Sequence, residues 1–316
     1  MTPAEVSRIA KQMISALDTV IVGKSAQNKQ AVLVLFCGSH LLIEDVPGVG
    51  KTTLAKALAK VSGGQFSRIQ FTPDLLPSDV TGTSIYNQNS REFEFHKGPL
   101  FANVVLADEI NRASPKTQSA LLEAMEERTV TVDGVERSVP LPFMVIATQN
   151  NVEMAGTFPL PEAQMDRFFG RISLGYPNRE VEREMLAAQR EAHPLEELRP
   201  AVSSEELLQI QRAIRQITID PSVQNYVVEV VRATREHSHI YLGASPRAAL
   251  HLQLAAQASA CLEDRTFVTP DDVKACAVLV LAHRILVRGE SRTQLGGSES
   301  VIHSILKTVP APVPVR

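Results

Sequence analysis

Apolar residues recur along the chain in two registers, and the balance between them shifts near residue 176. In the first half, runs of strand length alternate with stretches whose apolar positions fall three and four apart. HLLIED (40–45), RIQF (68–71), NVVLADE (103–109) and FMVIATQ (143–149) are the short runs. Their near-continuous apolar character is that of strands covered on both faces. Between them, TTLAKALAKV sets Leu54, Leu58 and Val61 on one helical face and Lys56 and Lys60 on the other. MTPAEVSRIAKQMISALD (1–18) and SAQNKQAVLVLF (25–36) read as two further helices. Strand alternating with helix predicts an α/β domain of three layers, a mostly parallel sheet between helices.

Two stretches break that alternation with period-two patterns. TSIYNQNSREFEF (83–95) sets Phe93 and Phe95 against Glu92 and Glu94 around a polar turn. TVTVDGVERSV (129–139) carries Asp133-Gly134, the pair favoured between the strands of a tight hairpin. Both predict β-hairpins inserted into the domain. Pro177 in YPNREVER then disfavours helix at Tyr176 and marks a boundary.

From Ser203 onward the pattern is helical, opened by a Ser-x-x-Glu capping box and continued by Asp220-Pro221, Ser245-Pro246 and Thr269-Pro270 helix starts. The expected organisation is an α/β domain over 1–176, a linker over 177–202, a small all-helical domain over 203–308, and an extended tail over 309–316.

Composition narrows the class without changing this outline. The 316 residues are 44% hydrophobic and 21% charged, ordinary for a globular protein with a sizeable core. A formal net charge of -3 disfavours non-specific nucleic-acid binding. Cys37, Cys261 and Cys276 are odd in number and lie in apolar runs, which predicts buried reduced thiols. The longest apolar stretch, ACAVLVLAHRILV (275–287), is interrupted by His283 and Arg284, falls short of the ~18 to 20 residues of a membrane span, and reads as a buried helix. A cytoplasmic protein without membrane insertion is expected. His237 and His239 lack a further nearby ligand and read as a solvated helix end.

The chemistry concentrates after the first strand run. In PGVGKTT, Gly48 and Gly50 permit a tight turn, Lys51 supplies a cation for the outer phosphates of a nucleotide, and the Thr52 hydroxyl suits Mg²⁺. The usual pattern G-x-x-x-x-G-K-[ST] asks for glycine where this chain has Asp45. A residue there is tolerable if its φ is negative and its carboxylate turns away from the phosphates, since repulsion costs about 1 kcal/mol at 4 Å even in water. Asp108 and Glu109 close another strand run, placed to act on a metal and on an attacking water respectively.

DVPGVGKTTLAKAL, LADEINRASPKTQSALLEAMEER, ATQN and PLPEAQMDRFFGRI together resemble the MoxR family of AAA+ ATPases, in the branch with an insertion in helix 2 and a hairpin before the sensor strand. The resemblance runs from VGK (22–24) to SPRAAL (245–250). It implies a phosphate-loop AAA+ αβα domain followed by a helical lid, with ATP and Mg²⁺ as ligands. Val22 and Gly23 would lie against the adenine. Gly48, Val49, Gly50, Lys51, Thr52 and Thr53 would wrap the phosphates, with Thr52 and Asp108 toward the metal.

By the same resemblance, Asn150 matches sensor 1, which helps hold the nucleophilic water, and Asn151 stands where the family commonly has proline. Arg167 matches the arginine finger that enters a neighbouring subunit's site, the alternative being a salt bridge with Asp166. Arg112 is a second candidate for that interface. Arg247 matches sensor 2, which touches the γ-phosphate. The implied assembly is a homo-oligomer, a hexameric ring, that remodels or matures a protein client. Proteins with a von Willebrand factor type A domain and enzymes awaiting a metal cofactor are the client classes implied. A nucleic-acid motor or loader and a small-molecule P-loop kinase stand as rival readings.

Overall fold

The computed structural model describes residues 1–150, 156–188, 194–289 and 297–312, with side chains described up to Arg183 in the second span. Asn151, residues 189–193 of the expected linker and residues 313–316 of the expected tail lie outside the described residues.

Two helices, α1 (Pro3–Asp18) and α2 (Ser25–Phe36), precede strand β1 (Leu41–Glu44) and helix α3 (Lys51–Val61). Then follow β2 (Phe66–Gln70), α4 (Pro77–Thr81), the hairpin strands β3 (Gly82–Asn87) and β4 (Glu92–Lys97), and β5 (Val104–Asp108). Helix α5 (Pro115–Glu127) leads into a second hairpin, β6 (Thr129–Val132) and β7 (Val135–Ser138). The α/β part ends with β8 (Met144–Gln149), α6 (Glu162–Met165) and β9 (Gly170–Ile172).

Helices α7 (Arg179–Ala188) and α8 (Pro194–Glu197) connect to α9 (Ser204–Ile214) and α10 (Pro221–Glu236). Strand β10 (Ile240–Leu242), α11 (Pro246–Leu262), α12 (Pro270–Leu281), β11 (Leu286–Val287) and α13 (Ser298–Thr308) complete the described chain.

The main sheet has the order β2-β5-β8-β1-β9, all neighbours parallel. Strand periodicity divides its apolar residues between two cores. Leu41, Ile43, Val104, Leu106, Met144 and Ile146 face one side, while Leu42, Val105, Ala107, Val145 and Ala147 face the other. This double burial explains why the strands read as unbroken apolar runs. The first core also takes in α1, α2, α9, α11 and α12, so the helical half shares apolar packing with the sheet.

Helix starts follow the sequence signals. Ser203 accepts from Glu206 N–H, Asp220 from Ser222 N–H and Ser245 from Ala248 N–H, with proline in the first turn of the last two helices. Asp133 (φ 53°) and Gly134 (φ 75°) both adopt left-handed backbone, as a primed hairpin turn requires. At the base of the first hairpin, a Cβ on Gly82 would lie 2.2 Å from the His96 carbonyl oxygen, so only glycine permits that crossing.

Two small features were not expected. Strand β9 adds a fifth, three-residue member beside β1, and β10 pairs antiparallel with β11 inside the helical half. The apolar run at 275–287 is not one helix: α12 ends at Leu281, and His283 and Arg284 lie buried in the turn beyond it. All three cysteines are buried free thiols, and no helix among the described residues is long and apolar enough to cross a membrane.

Candidate active site

In a parallel sheet every strand points its carboxyl end the same way, so the segments after β1, β5 and β8 converge on one edge. The loop after β1 turns into α3 through Gly48 (φ 83°) and Gly50 (φ 92°). A Cβ on either glycine meets nothing within 4 Å, so backbone conformation and not crowding demands glycine there. Behind the loop stands the amino terminus of α3, whose unpaired N–H groups favour an anion. Lys51 Nζ donates to the Asp45 carbonyl oxygen at 2.8 Å. Burial lowers the Lys51 pKa, with Asp45, Asp108 and Glu109 opposing that shift.

Asp45 is absent from the residues with positive φ. Its carboxylate is engaged: Oδ1 accepts from Val46 N–H at 2.9 Å, and Oδ2 accepts from Leu174 N–H at 2.6 Å and Gly175 N–H at 2.7 Å. On the far side of the loop, Gly23 (φ 73°) packs under α7, where an added Cβ would meet Val181 at 2.7 Å. Lys24 Nζ reaches the Tyr176 carbonyl oxygen at 3.1 Å. Val22 and Gly23 therefore sit where the chain leaving β9 folds back over the turn between α1 and α2.

The two carboxylates at the end of β5 are held differently. Asp108 is buried; its Oδ1 accepts from the Thr148 hydroxyl at 2.7 Å and its Oδ2 from Arg68 Nη2 at 2.7 Å. Glu109 adopts left-handed backbone (φ 56°, ψ 49°), which turns its side chain out of the strand line. Glu109 Oε2 accepts from Gln70 Nε2 at 3.1 Å and Arg112 Nη1 at 2.9 Å. The same Thr148 oxygen accepts from Glu109 N–H at 2.8 Å, so one buried hydroxyl orients both acids. Asn150 is buried immediately after β8, two residues beyond Thr148.

Arg167 and Arg247 stand at the other edge. Arg167 precedes β9, whose Gly170 is in register with Leu41 at the start of β1. Both arginines reach one carboxylate: Arg167 Nη2 lies 3.1 Å from Glu126 Oε2 and Arg247 Nη2 lies 2.5 Å from Glu126 Oε1. Glu126 lies in the last turn of α5, two residues before Arg128, which donates to Gly38 and Phe143 carbonyls just ahead of β1 and β8. Arg167 also lines a cleft of about 290 Å³ with Leu122, Glu123 and Gln164.

Arg167 is not paired with Asp166. Asp166 Oδ1 instead accepts from Arg284 Nε at 2.9 Å, and its Oδ2 accepts from the Ser245 hydroxyl at 2.9 Å. Ser245 caps α11, the helix that carries Arg247. Adjacent residues 166 and 167 thus fix the start of α11 and share a carboxylate with its first turn. Arg284, buried, also donates to the Phe168 and Phe169 carbonyls. Thr148, Arg68, Gln70, Glu126 and Arg284 carry no sequence signature of their own; each is set in place by pairing across strands or between distant helices.

The chain matches the model of the ATPase family associated with various cellular activities (AAA) over residues 40–170 and that of the AAA lid domain over 232–305. It is 41% identical to chaperone MoxR1 of Mycobacterium tuberculosis, over 96% of this chain and 82% of that protein. It is 30% identical to protein MoxR of Methylorubrum extorquens, over 92% of each, and 48% identical to the uncharacterized protein YeaC of Bacillus subtilis, over 95% and 94%. A crystal structure of a chain provisionally assigned as an ATPase, from Cytophaga hutchinsonii, superposes with a TM-score of 0.90 at 39% identity, covering 98% of this chain and 97% of that one. A parallel sheet followed by a helical lid and these full-length relatives agree: the chain belongs to the MoxR family of AAA+ ATPases and hydrolyses ATP.

Proposed function

We propose that this chaperone-like ATPase acts as a homo-oligomeric ring, with nucleotide sites shared between neighbouring copies. The separation of Lys51, Asp108 and Glu109 from Arg167 across the two edges of the sheet carries this reading. An arginine at the amino edge serves a nucleotide at the carboxyl edge of another copy. A heterologous contact of that kind closes into a ring when its rotation permits, and a hexamer is the expected closure. Arg112, bonded to Glu109 of its own chain, fits the finger role less well than Arg167.

Within each site, Lys51 and the loop from Gly48 to Thr53 bind the phosphates and Val22 and Gly23 receive the base. Glu109 takes the proton from the attacking water, and Asn150 helps to orient that water. The Thr52 hydroxyl and the Asp108 carboxylate are hard oxygen donors, a set that fits Mg²⁺. The ion, when bound, neutralises phosphate charge. Arg167 and Arg247 add positive charge from the adjoining subunit.

The two hairpins are the natural contact with a client. Tyr86 and Phe93 are both at least half exposed on the first, stacked edge to face at 5.4 Å. Arg137 of the second hairpin lies 4.1 Å over the Phe95 ring, and Asp133 and Glu136 of the same hairpin offset its charge, so no basic stripe forms there and a nucleic-acid role is disfavoured. The client is a folded protein, of the von Willebrand factor type A class or an enzyme awaiting its metal cofactor. Glu109→Gln should retain ATP yet turn it over at least about a hundredfold more slowly. Affinity capture with that variant should recover such a protein in ATP and release it in ADP. Recovery of nucleic acid instead, with salt-sensitive stimulation of ATPase activity by DNA, would favour a motor or loader.

A further inference from the structure

The residue that breaks the glycine pattern is a junction. Through its carbonyl oxygen Asp45 holds Lys51 Nζ at 2.8 Å, and through Oδ2 it holds Leu174 N–H, Gly175 N–H and the Ser173 hydroxyl at 2.6, 2.7 and 3.1 Å. Backbone donors on a carboxylate are charge-assisted and stronger than neutral pairs. A glycine at position 45 has no side chain with which to hold the 173–175 segment.

That segment leads to the lid. Gly175 turns with φ 61°, Tyr176 receives Lys24, and α7 places Val181 against Gly23. The preceding acid makes a parallel link: Glu44 Oε2 accepts from Arg171 Nη1 at 2.8 Å, and Arg171 Nη2 reaches Glu299 Oε1 of α13 at 3.2 Å. Both ends of the Glu44–Arg171 pair are mostly buried, at 16% and 20% exposure, so solvent screens it little. The acid pair in front of the phosphate loop is therefore bonded, residue by residue, to the chain that leaves β9 and to the last helix of the helical half.

We propose that Asp45 is a positioning residue that couples occupation of the phosphate loop to the Ser173–Tyr176 segment, and through it to the elements folding over Val22 and Gly23. The Lys51 ammonium has three N–H donors, and a phosphate that takes the other two pulls Nζ toward itself and strains its bond to the Asp45 carbonyl. Asp45, gripped on its other side through its carboxylate, transmits that pull to the 173–175 segment. The proposal rests on the reading of Lys51 as the phosphate-binding amine.

The test uses the full chain and Asp45→Asn, which keeps the shape, removes the charge and leaves one acceptor oxygen. Amide hydrogen exchange at Leu174 and Gly175 is followed without nucleotide and with a non-hydrolysable ATP analogue, beside affinity for that analogue and steady-state turnover. In the wild type, exchange at these amides should change at least about fivefold with the analogue; in Asp45→Asn affinity should stay within about threefold, the exchange response should vanish, and kcat should fall about tenfold with KM nearly constant.

Wild-type exchange that ignores nucleotide overturns the coupling, as does a variant that keeps the full response. Loss of affinity in Asp45→Asn also overturns it, because Asp45 would then serve the phosphate cradle itself. Lys51→Ala, measured in parallel, separates the premise: retained ATP affinity there defeats the phosphate-site reading whatever Asp45 does. If Asp45→Asn does not fold, Ser173→Ala removes one donor without altering charge. It should reduce the exchange response by about half, and an unchanged response would overturn the proposal.

Discussion

The carboxyl edge of the sheet is made of glycine turns, one lysine and acids held by neutral donors or by their own arginines. The amino edge gathers Arg167 and Arg247 on a single carboxylate, Glu126, and fastens the lid through Asp166 and Arg284. On the proposed reading, the first edge binds the phosphates and the second supplies positive charge to the nucleotide of a neighbouring copy. Within one chain, Glu126 balances the two like charges of Arg167 and Arg247 in a partly exposed position.

The largest effect tests that complementarity. Arg167→Ala alone should lower turnover about a thousandfold, within the range of a lost arginine finger. Glu109→Gln should be similarly inert. In an equimolar mixture, an interface is intact when an Arg167→Ala subunit supplies the carboxyl edge and a Glu109→Gln subunit the amino edge, so about a quarter of wild-type activity should return in a ring of independent heterologous sites. Steady-state phosphate release from the mixture is the measurement, and no rise above either variant alone would sink the shared site.

A smaller loss tests the carboxyl edge by itself. Thr148→Val removes the hydroxyl that donates to Asp108 and accepts from Glu109 N–H while preserving shape. Turnover should fall about 10- to 100-fold, as for other residues that orient a ligand or base. Affinity for ATP should change little, and Thr148→Ser should recover most of the rate. Equal activity in Thr148→Val would mean that the strand alone fixes both acids.

The contrast between the edges also explains what was legible in the sequence. The glycine turn before α3, the acids ending β5 and the hairpin at Asp133-Gly134 are local patterns, because neighbouring residues act together on one turn or one strand. That a non-glycine residue fits at Asp45 was readable, but its grip on residues 173–175 joins positions far apart in the chain. Glu126 lies inside a helix whose pattern explains it equally well as a solvated acid. Strand β9 has only three residues, too few for a period to declare itself. The β10–β11 ladder is shorter still on one side, and its pairing depends on the fold of the helices around it.

The mildest expected effect separates the edges by pH. His40, just ahead of β1, accepts from Val145 N–H at Nδ1 and donates from Nε2 to the Met125 carbonyl, so its neutral form satisfies both nitrogens. Burial, with Arg128 nearby, holds its pKa well below the ordinary value. His251 accepts from Arg284 at Nδ1, and burial followed by Arg284 pushes it down to about 3, with Asp166 opposing. His283, buried beside them, is also lowered well below the ordinary value, first by burial. All three lie with the arginine edge or its lid contacts. An unfolded histidine takes up a proton near pH 6.5 while these stay neutral, so their stabilising contribution is complete above that pH and is lost as pH falls below it. Each steepens the fall by at most about 1.4 kcal/mol per pH unit. The unfolding temperature should therefore drop by several degrees between about pH 7.5 and pH 5.5, and His251→Gln should flatten that slope. Since Asp166 and Arg284 pack against His251, hydrogen exchange in α11 should rise on acidification before exchange in α3 does. Equal rises in both helices would mean that acid loosens the two edges as one unit.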